Sequence, residues 1–465
     1  MAASFRHRGI SDTIAKANTK TKNTKKKNHC RLCIAIILCP CIILDVFITP
    51  RKLSENVVGK HSDKNPFTPG AGHPPPFLAG RDSEIAEFSK FLDQETVMRN
   101  VILTGLRGTG KTVLMDGKYK PAAQDKGWVW VGSDFSESSF LSEAKFCQRL
   151  LTDLSVFTST AALAAESGSL GFTSQPNTQR MDYNFLWQFF ELQPGLTADK
   201  LKATLEFVWK TVVVNSKTTE GIVFAYDEAQ VVQDRDSKEE YPLAVMLETF
   251  QSLQRKGCRF LLLLTGLPTL FPRLVESRTY AERMFTIQEL GRLTPEDSRD
   301  AISVPTKGNA YSFTEAGVEQ IIKTSDGYPY FIQFICRETF DHLKANPDDL
   351  TIPLDSIVRK LDTDFFAGRW ETLTDRQRDL LYCVSSLPES EEEFSIIDIV
   401  EGSKATDRIK SFTPGDVSQM LPRLIEKGLI YKNRLGKYCF SVPLFNRFIR
   451  RKLEQKETQP RLFPD

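Results

Sequence analysis

Eight consecutive residues carry the clearest chemistry in the chain: Gly105-Leu106-Arg107-Gly108-Thr109-Gly110-Lys111-Thr112. They match G-x-x-x-x-G-K-[ST] without a mismatch. Glycines at this spacing let successive backbone N–H groups converge on an anion, and a helix that follows turns its positive N-terminal end toward it. The loop from Gly105 to Thr112, with Val113 next to it, therefore reads as a cradle for phosphates. Lys111 would reach the β- and γ-phosphates of a nucleoside triphosphate, and the Thr112 hydroxyl would coordinate Mg²⁺. The alternative is a glycine turn followed by a chance Lys-Thr pair.

A second acidic locus complements the loop. "GIVFAYDEAQ", residues 221–230, is an apolar run that ends in Asp227-Glu228. A strand end in a doubly wound sheet delivers ligand-binding groups. Asp227 would hold Mg²⁺ directly or through water, and Glu228 would polarise the attacking water. A third run, "RFLLLLTGLPTL", places Thr265 at a strand end. Thr265 either senses the γ-phosphate or positions the water, or simply caps its strand.

These loci need a sheet to hold them together. Candidate strands are Asn100–Thr104, Trp128–Ser133, Gly221–Asp227, Arg259–Thr265 and Met284–Leu290. The first four are rich in apolar residues, as strands covered on both faces should be, and the long crossovers imply a parallel sheet. The expected fold class is α/β, a P-loop NTPase parallel sheet with helices on both faces. A helical lid and a C-terminal winged-helix domain should follow. Asp82 and Ser83 are N-cap candidates for the first helix. Thr158 to Gln179 is small and polar and reads as a mobile insertion.

At 465 residues the chain exceeds one ordinary core. With 41% hydrophobic and 26% charged residues it has the composition of a globular protein. Its net charge of +2 gives no global argument for a nucleic acid or an anionic membrane. Its nine cysteines are mostly scattered, which argues against a disulfide framework and for a reducing, cytoplasmic compartment. The boundaries read as residues 1–73 for a basic and apolar extension with a Pro/Gly linker, 74–290 for the ATPase core, 291–365 for the lid, 366–455 for the winged helix and 456–465 for a tail. Within the extension, residues 32–48 form an apolar run after a basic flank and are interrupted by Asp45. That run is either a membrane anchor, which would make the protein membrane-associated, or a basic extension with no role in the fold. The clustered Cys30, Cys33, Cys39 and Cys41 lack a good zinc spacing.

On these residues the chain resembles the AAA+ and STAND class of P-loop ATPases, and most of all the origin-recognition-type initiators and their bacterial relatives. The resemblance implies ATP and Mg²⁺ as ligands, hydrolysis of ATP, and a homo-oligomer among its assemblies. "PPPFLAGRDSEIAEF" is similar to the segment that lies along the adenine, so Phe77 and Leu78 would touch the base. "SRTYAERMFTIQELGRL" resembles the stretch that carries an arginine near the nucleotide, which here is Arg283. It would be a finger across a subunit interface or a surface arginine paired with Glu282 or Glu289. Gly327-Tyr328-Pro329 resembles the Gly-x-Pro of STAND lids, so Pro329 would approach the adenine. The arginine usual in an AAA+ lid has no clear match, with Arg337 nearby.

The C-terminal stretch reads as helix, strand, turn, strand and helix. Thr413-Pro414 starts a helix to Lys427, and Arg434-Leu435-Gly436-Lys437 forms the turn of a wing. The helix carries Gln419, Arg423 and Lys427, and the wing Lys432, Arg434 and Lys437. The tail adds Arg447, Arg450, Arg451 and Lys452. Phosphate contacts to DNA could come from these. The acids around "PESEEEF" offset them, and the alternative is a winged helix that binds a protein, gated by nucleotide.

Overall fold

A computed structural model of the chain describes residues 63–135, 142–167, 180–349, 351–388, 391–433 and 436–458. The apolar run at 32–48, the four N-terminal cysteines, and Arg434 with Leu435 lie outside the described residues. Residues 60–465 form one compact unit. Among the described residues no helix is long and apolar enough to cross a membrane.

Five strands form one sheet: β1 (Asn100–Gly105), β2 (Trp128–Val131), β3 (Gly221–Tyr226), β4 (Phe260–Gly266) and β5 (Phe285–Leu290). Their order is β2-β3-β4-β1-β5 and every pairing is parallel. The three central strands are buried along their whole length, which is why they read as unbroken apolar runs. Strand β5 lies at an edge and exposes Ile287 and Glu289. Strand β4 inserts between β1 and β3, although it follows both in sequence. The register sets Thr104 beside Gly266 and Tyr226 beside Leu264. All three motif-bearing strands thus end at the same carboxyl edge, and Asp227 arrives next to Thr265. Asn100 pins the far end. Its amide is fully buried and exchanges bonds with Gln254, and it accepts from the Leu262 N–H at 2.8 Å.

One glycine is required by close approach. Gly132, just after β2, has φ 136°, and a Cβ there would lie 1.8 Å from the Ala225 carbonyl oxygen.

Two sequence expectations need correction. The first helix is Asp82–Leu92, with Arg81 at the cap position and no side-chain cap, so Asp82 and Glu84 serve the first turn through the helix dipole instead. The Glu143–Ser167 helix runs through the first part of the stretch read as a mobile insertion, and residues 168–179 lie outside the described residues.

Beyond β5 the chain is helical. Pro295–Ser303, Glu315–Ser325 and Pro329–Ala345 pack together, and Leu354–Leu361 leads through a π segment, Asp362–Ala367, into Gly368–Glu371. The C-terminal part contains Asp375–Ser386, Ile396–Lys404 and Pro414–Glu426. An antiparallel pair, β6 (Ile430–Lys432) and β7 (Tyr438–Phe440), comes before the Phe445–Thr458 helix. Reciprocal capping boxes, Thr374 with Gln377, Ser395 with Asp398 and Thr413 with Asp416, start its first three helices. The lid helices and the C-terminal helices share one core, in which Phe331, Ile335, Phe366, Leu381 and Phe448 meet.

Candidate functional site

The loop after β1 forms a cradle. Gly108 and Gly110 take positive φ, at 80° and 91°, a conformation that glycine adopts without strain, just before the helix begins at Lys111. The Lys111 ammonium donates to the carbonyls of Gly105 and Leu106, both at 3.0 Å. Burial lowers its pKa, the nearby Glu228 and Asp227 partly offset this, and Arg107 adds to the lowering. The Thr109 hydroxyl closes the loop on the Leu106 carbonyl at 2.9 Å.

Asp227 is the point of convergence. It is buried, and each of its carboxylate oxygens is addressed separately. The Thr112 hydroxyl donates to Oδ2 and the Thr265 hydroxyl to Oδ1. The Glu228 N–H also donates to Oδ1, at 2.7 Å. The sheet therefore brings Lys111, Thr112, Asp227, Glu228 and Thr265 into one constellation, as their spacing in three separate stretches predicts. Thr265, at the end of β4, reaches the carboxylate through its hydroxyl. A hydroxyl and a carboxylate oxygen side by side form a hard oxygen donor pair of the kind Mg²⁺ takes.

Glu228 sits in the left-handed region at φ 52°, a conformation rare for glutamate. Gln230 holds it there. Its side-chain amide donates to Glu228 Oε2, while its carbonyl oxygen accepts from the Leu267 N–H at 3.2 Å. Gln230 thereby ties the carboxylate to the loop after β4. The sequence gives no sign of it, because a polar residue two positions after an acidic pair is ordinary.

A cavity of about 390 Å³ opens over the loop. Phe77, Leu78, Leu293, Ala301 and Pro329 give it an apolar wall, and residues 107–113 with Glu228 a polar one. Phe77, Leu78 and Pro329 thus share one cavity. The linker, from Thr68 to Pro75, contributes to its lining. Gly72 lies close enough to Thr112 that an added Cβ would be 3.8 Å from its methyl group. Phe67, fully buried, anchors the strap by stacking on Phe313 at 5.9 Å, and its carbonyl accepts from Arg337 at 3.1 Å. Arg337 therefore braces the linker and does not line the cavity.

Arg283 lies elsewhere. It is exposed, precedes β5 at the opposite edge of the sheet, and makes no ion pair with Glu282 or Glu289 among the described residues. It does not line its own chain's cavity.

Three further residues shape the loop from outside. Buried Arg81 donates to the carbonyl of Gly291 at 2.8 Å and to that of Thr109 at 3.4 Å, which fastens the loop to the end of β5. The Tyr330 N–H, at the start of the Pro329–Ala345 helix, donates to the Gly108 carbonyl at 3.2 Å. Arg369, in the short Gly368–Glu371 helix, lines the cavity as well.

Comparison with known proteins bears first on the fold. The Walker-type ATPase PABY2304 of Pyrococcus abyssi is similar with a TM-score of 0.52 at 15% identity, over 80% of this chain and 96% of that one. The Aeropyrum pernix Orc1 protein in complex with DNA matches at a TM-score of 0.41 and 15% identity, over 82% and 94%. The Thermotoga maritima RuvB Holliday junction branch migration motor matches at 0.37 and 13%, over 82% and 96%. Residues 363–449 match a family model described as a domain of unknown function, DUF8462. No curated protein sequence matches. The chain has the fold of a P-loop ATPase, a parallel sheet flanked by helices with a helical extension.

Proposed function

We propose that the chain binds Mg-ATP at the loop after β1 and hydrolyses it slowly, as a conformational switch rather than as a motor. The convergence of Thr112 and Thr265 on Asp227, with Glu228 beside it, carries the reading. Lys111 would offset charge on the β- and γ-phosphates, and the loop amides would grip the anion. Thr112 and Asp227 would hold Mg²⁺, which would supply positive charge to offset that of the phosphates. Glu228, fixed by Gln230, would orient a water in line with the terminal phosphate and accept its proton. Phe77, Leu78 and Pro329 would enclose the base. Arg283 would serve only a neighbouring copy of the chain, as a finger across an interface.

The C-terminal part supports a protein partner over DNA. Its hairpin and preceding helix fit a winged-helix arrangement, yet most of its cations are engaged inside the molecule. Lys427 donates to the Thr372 carbonyl, and Lys437 lies 3.7 Å from Glu393. Arg447 pairs with Glu391 at 2.9 Å, and Arg450 donates to the Ser385 carbonyl at 2.6 Å. Arg451 holds Asp362 at 3.0 Å. The exposed face of Pro414–Glu426 offers Arg423 against Asp416 and Glu426. Such a face lacks the positive surplus that phosphate contacts need.

Nucleotide binding and hydrolysis by wild type, Lys111→Ala and Glu228→Gln test the catalytic reading. Lys111→Ala should lose binding of Mg-ATP, and Glu228→Gln should keep it while turnover drops about 100-fold or more. Wild type without affinity for any Mg-triphosphate overturns the reading. For the partner, a salt titration with duplex DNA should show no specific affinity in the full chain. Binding that weakens steeply with salt, and further in Arg423→Ala and Lys432→Ala, would restore the DNA reading.

A further inference from the structure

The Pro329–Ala345 helix buries one amide and one hydroxyl side chain, Gln333 and Thr339, and they fare differently. Thr339 donates its hydroxyl to the Ile335 carbonyl at 2.8 Å. Gln333 is only 8% exposed, and its side-chain oxygen is buried without a hydrogen-bond partner among the described residues. Its neighbours in the chain, Phe331, Ile332, Phe334 and Ile335, are buried and apolar. A buried acceptor left unpaired costs more than a made bond returns, so such a group calls for a partner.

Its place in the molecule says which partner. Gln333 lines the cavity one helical turn beyond Pro329, and so on the same face. Leu293 and Ala301, both buried, belong to the same lining and to the apolar wall beside the phosphate loop. Other polar side chains of the lining are engaged: Thr68 donates to the Pro74 carbonyl at 3.1 Å, and Arg81 holds the Gly291 carbonyl. The helix is also fixed on either side of Gln333. The Tyr330 N–H bonds the Gly108 carbonyl, and Arg337 bonds the Phe67 carbonyl. The amide is thereby set in position against both the phosphate loop and the linker before a ligand arrives.

A primary amide presents an acceptor oxygen and a donor nitrogen in one plane. Its complement is a flat edge with a donor beside an acceptor, and a 6-aminopurine has that edge, an exocyclic amine next to a ring nitrogen. We propose that Gln333 reads the 6-amino group of the nucleotide's purine base, its oxygen accepting from the amine and its nitrogen donating to the neighbouring ring nitrogen. The inference rests on the nucleotide reading above and adds the group by which the base is chosen. The phosphate loop grips the part common to all nucleoside triphosphates, and an apolar wall does not tell one flat ring from another. A site built to hydrogen-bond one group rejects the analogue that lacks it.

The test measures affinities of the full chain for Mg-ATP and for the Mg-complex of purine riboside triphosphate, which lacks only the 6-amino group, in wild type, Gln333→Met and Gln333→Leu. Wild type should prefer ATP by about 10-fold or more. Gln333→Met should lose about 10-fold for ATP and less than about 2-fold for the analogue, so that the preference disappears. The Tm of unliganded Gln333→Met should be no lower than that of wild type, because an unpaired amide gives way to an apolar chain of similar length. A merely structural amide would show the reverse, a lowered Tm with equal losses for both nucleotides, and that result refutes the assignment. A variant that keeps the preference refutes it too. Should Gln333→Met not fold, Gln333→Leu carries the same expectations, and equal affinities of wild type for the two nucleotides refute the inference without any variant while leaving the nucleotide site intact. Wild type that binds neither overturns the nucleotide reading and this inference together.

Discussion

Asp227 shows how much one carboxylate is asked to do. Two threonine hydroxyls and a backbone amide converge on it, and both hydroxyls come from strand ends that only the parallel register brings together. Thr265→Val keeps the shape and removes one donor from a buried carboxylate, a change that typically costs a few kcal/mol in orientation and solvation. Turnover should fall about 10- to 100-fold, the Mg²⁺ concentration for half-maximal rate should rise, and Thr265→Ser should restore both. A magnesium titration of steady-state hydrolysis decides it, and unchanged magnesium dependence would return Thr265 to a strand cap. Asp227 and Glu228 were legible because an acidic pair after an apolar run means little alone and much beside a phosphate loop. Gln230 was not, since it acts through tertiary contacts that no local pattern encodes.

The strands were legible almost to their ends, because burial on both faces demands unbroken apolar runs and the glycine-rich connections mark where they stop. The Glu143–Ser167 helix was not. Its alanines and serines lack an apolar stripe over the last turns, and small residues suit a helix and a loop alike. The linker was legible as Pro/Gly-rich but not as a strap, since only the buried Phe67 reveals its anchorage. Phe67→Ala empties a site whose loss in a core costs about 3–5 kcal/mol. The strap can detach locally, however, so most of that energy should appear as local opening rather than as lowered global stability. Nucleotide release should speed several-fold, with a new protease cut within residues 68–76 and only a modest drop in Tm. Stopped-flow release kinetics and limited proteolysis check this. Slower or unchanged release would show that the strap does not cover the ligand.

At the scale of the molecule, the lid and the C-terminal helices behave as one body because they share one core. Cys336 of the lid and Cys383 of the C-terminal part are both buried in it, and burial pushes the Cys383 thiol up to about 11. Both should be silent to thiol reagents near neutral pH in the native chain. In rising urea they should become reactive over the same concentration range, each followed by mass spectrometry. Exposure of Cys383 well before Cys336 would mean that the two parts unfold separately. The phosphate loop is bound into the same body. Leu106 packs against this core, a Cβ at Gly428 would lie 3.6 Å from the Arg107 guanidinium, and a side chain at Gly108 would meet Tyr330 at 2.9 Å. The x positions of the loop, free to vary where such a loop faces solvent, are here moulded by the other half of the chain. A chimera carrying a foreign C-terminal half would have to bring its own residues 106–108 with it, or lose the loop shape that those three positions support.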